Sequence, residues 1–238
     1  MNILITGASS GIGETVCRTF DQSGNILFML SRNETKLVKA TESIKYAKVK
    51  TIAYDLTNLY DIEQVFKEIA SEGVKLDAMV HSAGINKDVP IRSNDVEWMM
   101  EVMNTNLLSF IELGKFFSKK KYSSEGAGIV AISSMASLQC AKGMCTYSVS
   151  KAGLNAAVKV MAKEFVKRKI RVNAILPNFV DTTMTKEELE YSSTNIEEFQ
   201  PLGIIDPKKI ADIIDFLLSE KAAYITGALI PVSGGSDC

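Results

Sequence analysis

The sequence predicts an α/β fold, a doubly wound sheet of seven parallel strands flanked by helices on both faces. Three observations carry the prediction. Short apolar runs alternate with helical patterns along all 238 residues. The first run breaks into a glycine loop that opens a helix. No repeat, low-complexity stretch or linker divides the chain, so residues 1–238 read as one domain.

The first strand, residues 2–6, runs into Gly7-Ala8-Ser9-Ser10-Gly11-Ile12-Gly13, after which Ile12, Val16, Cys17 and Phe20 share one helical face. In a strand–loop–helix of this kind a pyrophosphate can approach the bare backbone N–H groups of Gly7, Ser9, Ser10, Gly11, Ile12 and Gly13. They stand at a helix N-terminus, where the dipole favours negative charge. The spacing is G-x-x-x-G-x-G rather than G-x-G-x-x-G. The second strand, residues 26–30, ends at Ser31-Arg32-Asn33. A site reading a ribose 2′-hydroxyl places Asp or Glu here. This chain has Ser31 and Arg32, and a guanidinium suits a 2′-phosphate with no carboxylate at that point to repel it. NADP(H) is therefore favoured over NAD(H); the plainer alternative is a solvated arginine opening a helix.

Further strands are predicted at 49–54, 76–80, 128–132, 171–176 and 228–232, with a helix at 207–218. Tyr147 and Lys151 lie four residues apart at the start of a helical pattern carried by Leu154, Ala157, Val158, Met161, Ala162 and Phe165, so they share a face. A phenol ionises near pH 10, too high for acid–base work at neutrality. A neighbouring ammonium favours the phenolate and lowers that pKa. Ser134 stands thirteen residues before the tyrosine, just past the strand at 128–132. A serine there is placed to hydrogen-bond the substrate oxygen that the tyrosine protonates.

With Ser134, the Tyr147-x-x-x-Lys151 pair and the Thr6-to-Gly13 loop, nearly the whole chain resembles the short-chain dehydrogenase/reductase family, and most closely its 3-oxoacyl-(acyl-carrier-protein) reductases. The resemblance implies a Rossmann-like fold and reduction of a carbonyl to a secondary alcohol by NADPH, or the reverse. It gives Tyr147 the role of general acid. Ser134 binds the carbonyl oxygen, Lys151 lowers the tyrosine pKa and grips the ribose hydroxyls, and Asn106 holds a water of the proton relay. A structural Asn106 that only braces its helix is the alternative. Asp55 would hold the adenine amino group, with Leu56 beside the ring, although Asp55 also suits a helix cap. His81-Ser82-Ala83-Gly84 matches N-N-A-G or H-N-A-G, with Ser82 in place of an amide and the backbone near the ribose. Pro177-Asn178 stands for the family's P-G, Asn178 being tolerant of left-handed geometry. Pro177, Val180 and Thr182 would hold the nicotinamide carboxamide. The polar stretch 183–200, with Glu187, Glu188, Glu190, Glu197 and Glu198, falls where the family carries its substrate lid. A sugar, sterol or small ketone stays open as substrate. A non-catalytic regulatory protein is the distant alternative; it predicts a damaged tetrad or glycine loop, and both are complete.

Composition bounds the rest. A formal net charge of −1 argues against a sequence-wide attraction to nucleic acid or anionic membrane. No apolar run approaches the roughly 20 residues that cross a bilayer, and Met1-Asn2-Ile3-Leu4-Ile5 lacks a basic flank, so the chain reads as cytoplasmic. Cys17, Cys140, Cys145 and Cys238 show no C-x-x-C spacing, and His81 is the single histidine. No metal site is expected, and a Ser-His-Asp hydrolase would have to use His81. A long helix is predicted over 96–122, apolar over more than one stripe through Met99, Val102, Met103, Leu107, Phe110, Leu113, Phe116 and Phe117. Such a helix is covered by its own sheet and a second subunit, and the family pairs it across two-fold axes, implying a homotetramer, with a dimer second. Lys119-Lys120-Lys121 and Lys167-Arg168-Lys169 close helices, where the dipole favours cations; docking of an acyl carrier is the second reading. Glu125 and the lid glutamates would repel such a carrier.

Overall fold

The computed structural model describes residues 1–190 and 195–236, the side chains of Glu188 and Glu190 excepted. Those two glutamate side chains and Cys238 therefore lie outside the described residues. Strands β1 (Asn2–Thr6), β2 (Ile26–Ser31), β3 (Lys48–Ala53), β4 (Leu76–His81), β5 (Ser123–Ile132), β6 (Arg171–Pro177) and β7 (Leu229–Val232) form one sheet in the order β3-β2-β1-β4-β5-β6-β7. Every neighbouring pair is parallel. The helices are α1 (Gly11–Thr19), α2 (Glu34–Thr41), α3 (Ile62–Ser71), α4 (Val96–Met103), α5 (Ser109–Phe117), α6 (Ala136–Gln139), α7 (Cys145–Phe165), α8 (Thr183–Glu190), α9 (Ile196–Phe199) and α10 (Pro207–Leu218).

A parallel sheet must be covered on both faces, and β1 shows how the sequence meets that demand. Ile3 and Ile5 pack with Val16, Leu37 and Ile214 of α1, α2 and α10. Leu4, on the other side of the pleat, packs with Phe66, Phe117 and Leu154 of α3, α5 and α7. All of these are buried, and each such burial contributes about 1.5–3 kcal/mol.

The helix predicted over 96–122 is divided. α4 passes into a π-helical turn, Asn104–Leu108, and then into α5, which ends at Phe117. A π turn admits one extra residue and rotates the apolar stripe by roughly one helical position. That rotation explains much of the apolar breadth seen in the sequence, because Val102, Leu107, Phe110, Leu113 and Phe117 are all buried within this chain. Val96, Met100 and Ile111 are left exposed. Beyond Phe117, Arg168 donates to the Ser118 and Ser123 carbonyls at 2.6 and 2.7 Å and to Ser123 Oγ at 2.9 Å. These bonds fasten the chain into β5 at Ser123, earlier than the predicted start at 128.

The strand order reverses between β1 and β4, and the connections leaving them diverge to opposite sides. That switch point opens a crevice at the C-terminal edge of the sheet. The two turns bordering it nearly touch: a Cβ on Gly7 would stand 2.9 Å from Ala83 N. Among the described residues, no helix is long and apolar enough to cross a membrane.

Candidate active site

The loop after β1 forms the floor of the cleft. Gly7 and Gly11 hold φ of 65° and 54°, values that side chains disfavour. A Cβ on Gly13 would stand 2.3 Å from Gly7 O, so the loop closes on itself only with glycine there. Ser9 Oγ and Ser31 Oγ are hydrogen-bonded at 2.8 Å, tying this loop to the end of β2. One end of the cleft is bounded by Ser9, Ser31, Arg32, Asp55 and Leu56, and the other by Ser134, Tyr147, Lys151, Pro177, Val180 and Thr182. Gly7, Ser10, Ala83 and Gly84 belong to both, and Gly11, Ile12 and Ser82 to the second. Gly13 and Asn106 stand behind the wall.

Lys151 is buried beneath that wall, and its Nζ donates to the Ile132 carbonyl at 2.8 Å. Burial pushes its ammonium down to about 8. Nζ lies 5.7 Å from the centre of the half-buried Tyr147 ring. A Cβ on Gly84 would meet Nζ at 3.4 Å and Asn106 Oδ1 at 3.5 Å, so glycine there makes room for both. Ser134 follows β5, and its Oγ accepts from Ala136 N at 3.0 Å. Ser137 Oγ donates to the Ser134 carbonyl at 2.6 Å and is itself held by Asn155 Nδ2 at 2.8 Å. A half-buried phenol beside an ammonium, with a hydroxyl at the neighbouring strand end, is equipped to give a proton to a ligand oxygen.

Asn106 sits in the π turn with no exposure. Its Oδ1 accepts from Ile85 N at 2.9 Å, and its Nδ2 donates to Ile85 O at 3.0 Å and Ser150 Oγ at 3.1 Å. The amide thus clamps the turn after β4 to α7. Ser150 donates in turn to the Tyr147 carbonyl at 2.7 Å. Ser150 was not singled out in the sequence, yet it lies three positions after Tyr147 and its face was legible. Thr6, read only as the start of the glycine loop, has a side-chain role as well: its Oγ1 accepts from Ala83 N at 3.1 Å and pairs with His81 Nδ1 at 3.1 Å. His81 is fully buried against Phe110 and pushed down to about 3 by burial and the Lys151 charge. It bonds Thr6 rather than any reactive serine, which removes support from a hydrolase triad.

Four sequence expectations change. A carboxylate does stand at Arg32: Glu101 of α4 approaches its Nη1 at 3.3 Å, from 69 residues away in the chain. Asp55 caps no helix; its Oδ1 accepts from Thr57 N at 2.9 Å and Thr57 Oγ1 at 2.8 Å, and the residue borders the cleft. Asn178 does not adopt the left-handed geometry; among the described non-glycine residues only Cys140 and Lys169 have positive φ. Its Nδ2 instead donates to Ser236 Oγ at 2.7 Å, which also accepts from Gln139 Nε2 at 3.3 Å.

The fourth change concerns charge. Lys119-Lys120-Lys121 and Lys167-Arg168-Lys169 precede β5 and β6, and Glu125 lies among the first residues of β5, all toward the sheet edge opposite the cleft. Lys121 pairs with Glu63 at 3.1 Å and Lys169 with Glu125 at 2.9 Å, while Arg168 is spent on backbone carbonyls. Neither cluster faces the entrance, and Glu125 is remote from Ser134. Cys17 is buried and Cys140 and Cys145 exposed, all as free thiols. Among the described residues, no group of three His, Cys, Asp or Glu could hold a metal ion.

Comparison with known proteins agrees with this geometry. A family profile described as enoyl-(acyl carrier protein) reductase matches residues 7–237. The chain is 32% identical over 237 residues to the 3-oxoacyl-(acyl-carrier-protein) reductase FabG of Thermotoga maritima, covering 98% of this chain and 96% of that one. It is 30% identical over 232 residues to carbonyl reductase family member 4 of Danio rerio, covering 98% and 96%. Among solved structures, the short-chain dehydrogenase/reductase SDR:glucose/ribitol dehydrogenase from Brucella melitensis superposes with a TM-score of 0.92 at 26% identity, covering 98% of this chain and 95% of that one.

The buried lysine has a measurable consequence in the ligand-free protein. Its folded pKa of about 8 lies below the ordinary 10.5, so between those values the unfolded chain binds the proton that the folded chain has lost. Stability must therefore rise with pH across that window and be flat below it, by roughly 3 kcal/mol in all. Denaturant unfolding from pH 7 to 10.5, compared with Lys151→Met, measures it: the wild-type protein gains on the variant as pH rises.

Proposed function

Given that this chain belongs to the short-chain dehydrogenase/reductase family and is an NAD(P)-dependent oxidoreductase, we propose that it reduces the ketone of a 3-oxoacyl thioester to a secondary alcohol with NADPH, or runs the reverse. The observation that carries the proposal is convergence. Ser134 from the end of β5, and Tyr147 and Lys151 from one face of α7, meet on a cleft floored by the glycine loop.

The cleft residues fit a dinucleotide, because a Cβ would fill the approach at Gly7 and Gly13 and Thr182 Cγ2 lies 3.2 Å from a Cβ placed on Gly11. The bound cofactor supplies the hydride. In this proposal Gly7, Ser9, Ser10, Gly11 and Ile12 hold the pyrophosphate through backbone N–H groups, and Gly13 lets the loop close. Ser31 and Arg32 face the adenosine ribose, Asp55 and Leu56 the adenine. Ser82, Ala83 and Gly84 line the second ribose, and Pro177, Val180 and Thr182 hold the carboxamide. Tyr147 gives its proton to the ketone oxygen, and Ser134 hydrogen-bonds that oxygen. Lys151 favours the phenolate that remains and binds ribose hydroxyls. Asn106 fixes Ile85 and Ser150 around the path by which the tyrosine regains its proton.

Relatives named 3-oxoacyl-(acyl-carrier-protein) reductase support a thioester. Glu187, Glu197 and Glu198 are exposed around α8 and α9, and the two basic clusters lie on the far edge, so those clusters do not draw an acidic carrier to the entrance. A small uncharged ketone or sugar is the next reading. For assembly, exposed Val96, Met100 and Ile111 on α4 and α5, with Val149 and Val160 on α7, support a homotetramer, with a dimer second.

Three outcomes test these proposals. Tyr147→Phe lowers turnover by about 10²–10⁴-fold while calorimetry shows cofactor binding retained; near-normal turnover refutes the mechanism. Steady-state assays of one acyl group on pantetheine and on its carrier protein give kcat/KM at least as high for the short form. A large carrier advantage that high salt removes would show the entrance charges misread. Light scattering at micromolar concentration gives a tetramer; a stable monomer refutes the assembly.

A further inference from the structure

We infer that Glu101 is a specificity-determining residue of the cofactor site: its carboxylate offsets Arg32 and lowers this chain's preference for a 2′-phosphorylated dinucleotide, leaving Lys36 as the uncompensated cation. The inference rests on the dinucleotide-binding reading above, not on which of the two cofactors the chain prefers.

Arg32 and Lys36 border the adenosine end of the cleft from the β2 side, and Thr105 borders it from the other. Glu101 lies one turn before Thr105, so its 3.3 Å contact with Arg32 Nη1 joins the two walls. Lys36 has no ion-pair partner among the described residues, and its backbone N–H is fixed by Asn33 Oδ1 at 2.9 Å. The side chains of Arg32 and Glu101 are 59% and 41% exposed, so the pair is weak and a ligand can break it. Weakness does not make it neutral to selectivity. A 2′-phosphate on Arg32 brings two negative charges within a few ångströms of the Glu101 carboxylate, well inside the screening length of about 8 Å at physiological salt. A cofactor with a plain 2′-hydroxyl meets no such repulsion. Glu101 therefore acts on the difference between the two cofactors rather than on dinucleotide binding in general. The carboxylate at this point comes not from the residues just after β2 but from α4, across the cleft.

Calorimetric titration of the ligand-free protein with NADP⁺ and with NAD⁺ decides the matter without any turnover. Glu101→Gln tightens NADP⁺ by about three- to tenfold and leaves NAD⁺ within about twofold. The gain shrinks at high salt and in an Arg32→Gln background, while Lys36→Gln weakens NADP⁺ alone. NADP⁺ binding that is unchanged or weaker in Glu101→Gln overturns the inference, the weaker case showing that Glu101 positions Arg32. A wild-type protein without NADP⁺ preference, in which Glu101→Gln creates one, would overturn the cofactor reading and uphold the inference. Unchanged thermal unfolding of the ligand-free variants confirms that the fold is intact.

Discussion

The near-contact of the β1 and β4 turns is the constraint on which the rest of the site depends. Gly7 and Ala83 approach so closely that no side chain fits between them at position 7. The approach exists because the strand order reverses there, sending α1 to one face of the sheet and the chain after β4 to the other. Thr6 Oγ1 holds the approach by accepting from Ala83 N, and the hydroxyl is in turn paired with a buried histidine. Loosening this corner would shift the floor of the cleft and its adenosine wall together, since Ser9 carries the movement to Ser31.

A second constraint is the burial of Lys151. An ammonium without exposure is expensive to leave unpaired, and the described partner for its Nζ is a neutral carbonyl, Ile132 O. That is why its pKa falls toward neutrality instead of rising as it would beside a carboxylate. The lysine is kept near Tyr147 by the packing of α7 and by the Asn106 clamp, which fixes Ser150, its neighbour in sequence. The π turn makes the clamp possible by turning Asn106 inward while Val102 and Phe110 on either side stay in the core. Polarity at position 106 and the broad apolar stripe around it are thus two signs of one extra residue in a helix.

Much of this was legible because the informative signals are local in the chain. A glycine loop after one apolar run, a Tyr and Lys one helical turn apart, and a serine at a strand end each require only neighbours. The strand order then brings them to one edge without further instruction. Long-range partners were not legible: nothing near Arg32 announces Glu101, and nothing near Asn178 announces Ser236. The π turn hid inside a continuous helical pattern, since an inserted residue widens an apolar stripe much as a second buried face does. Glu125 misled for a different reason. It stands at the start of β5 and Ser134 just past its end, so closeness in sequence means most of a strand's length of separation in space.

That separation also sorts the charges. At the edge away from the cleft, Glu63 draws in Lys119, Lys121 and Tyr122 Oη, and these hydrogen bonds hold its carboxyl down at about 2. Lys169 and Glu125 pair there too, so part of the positive charge at this edge is offset locally. The cleft edge is polarised by comparison. Among the described residues Lys36 has no ion-pair partner and Arg32 is only loosely paired at the adenosine end, while the segment around α8 and α9 at the other end is acidic. A ligand with phosphates toward one end and an uncharged reacting group toward the other meets complementary potential in one orientation and repulsion in the reverse. A single helix-borne carboxylate at the cationic end would then tune which dinucleotide gains most from that field, while the glycine loop and the Tyr147–Lys151 face, common to both cofactors, leave the orientation itself unchanged.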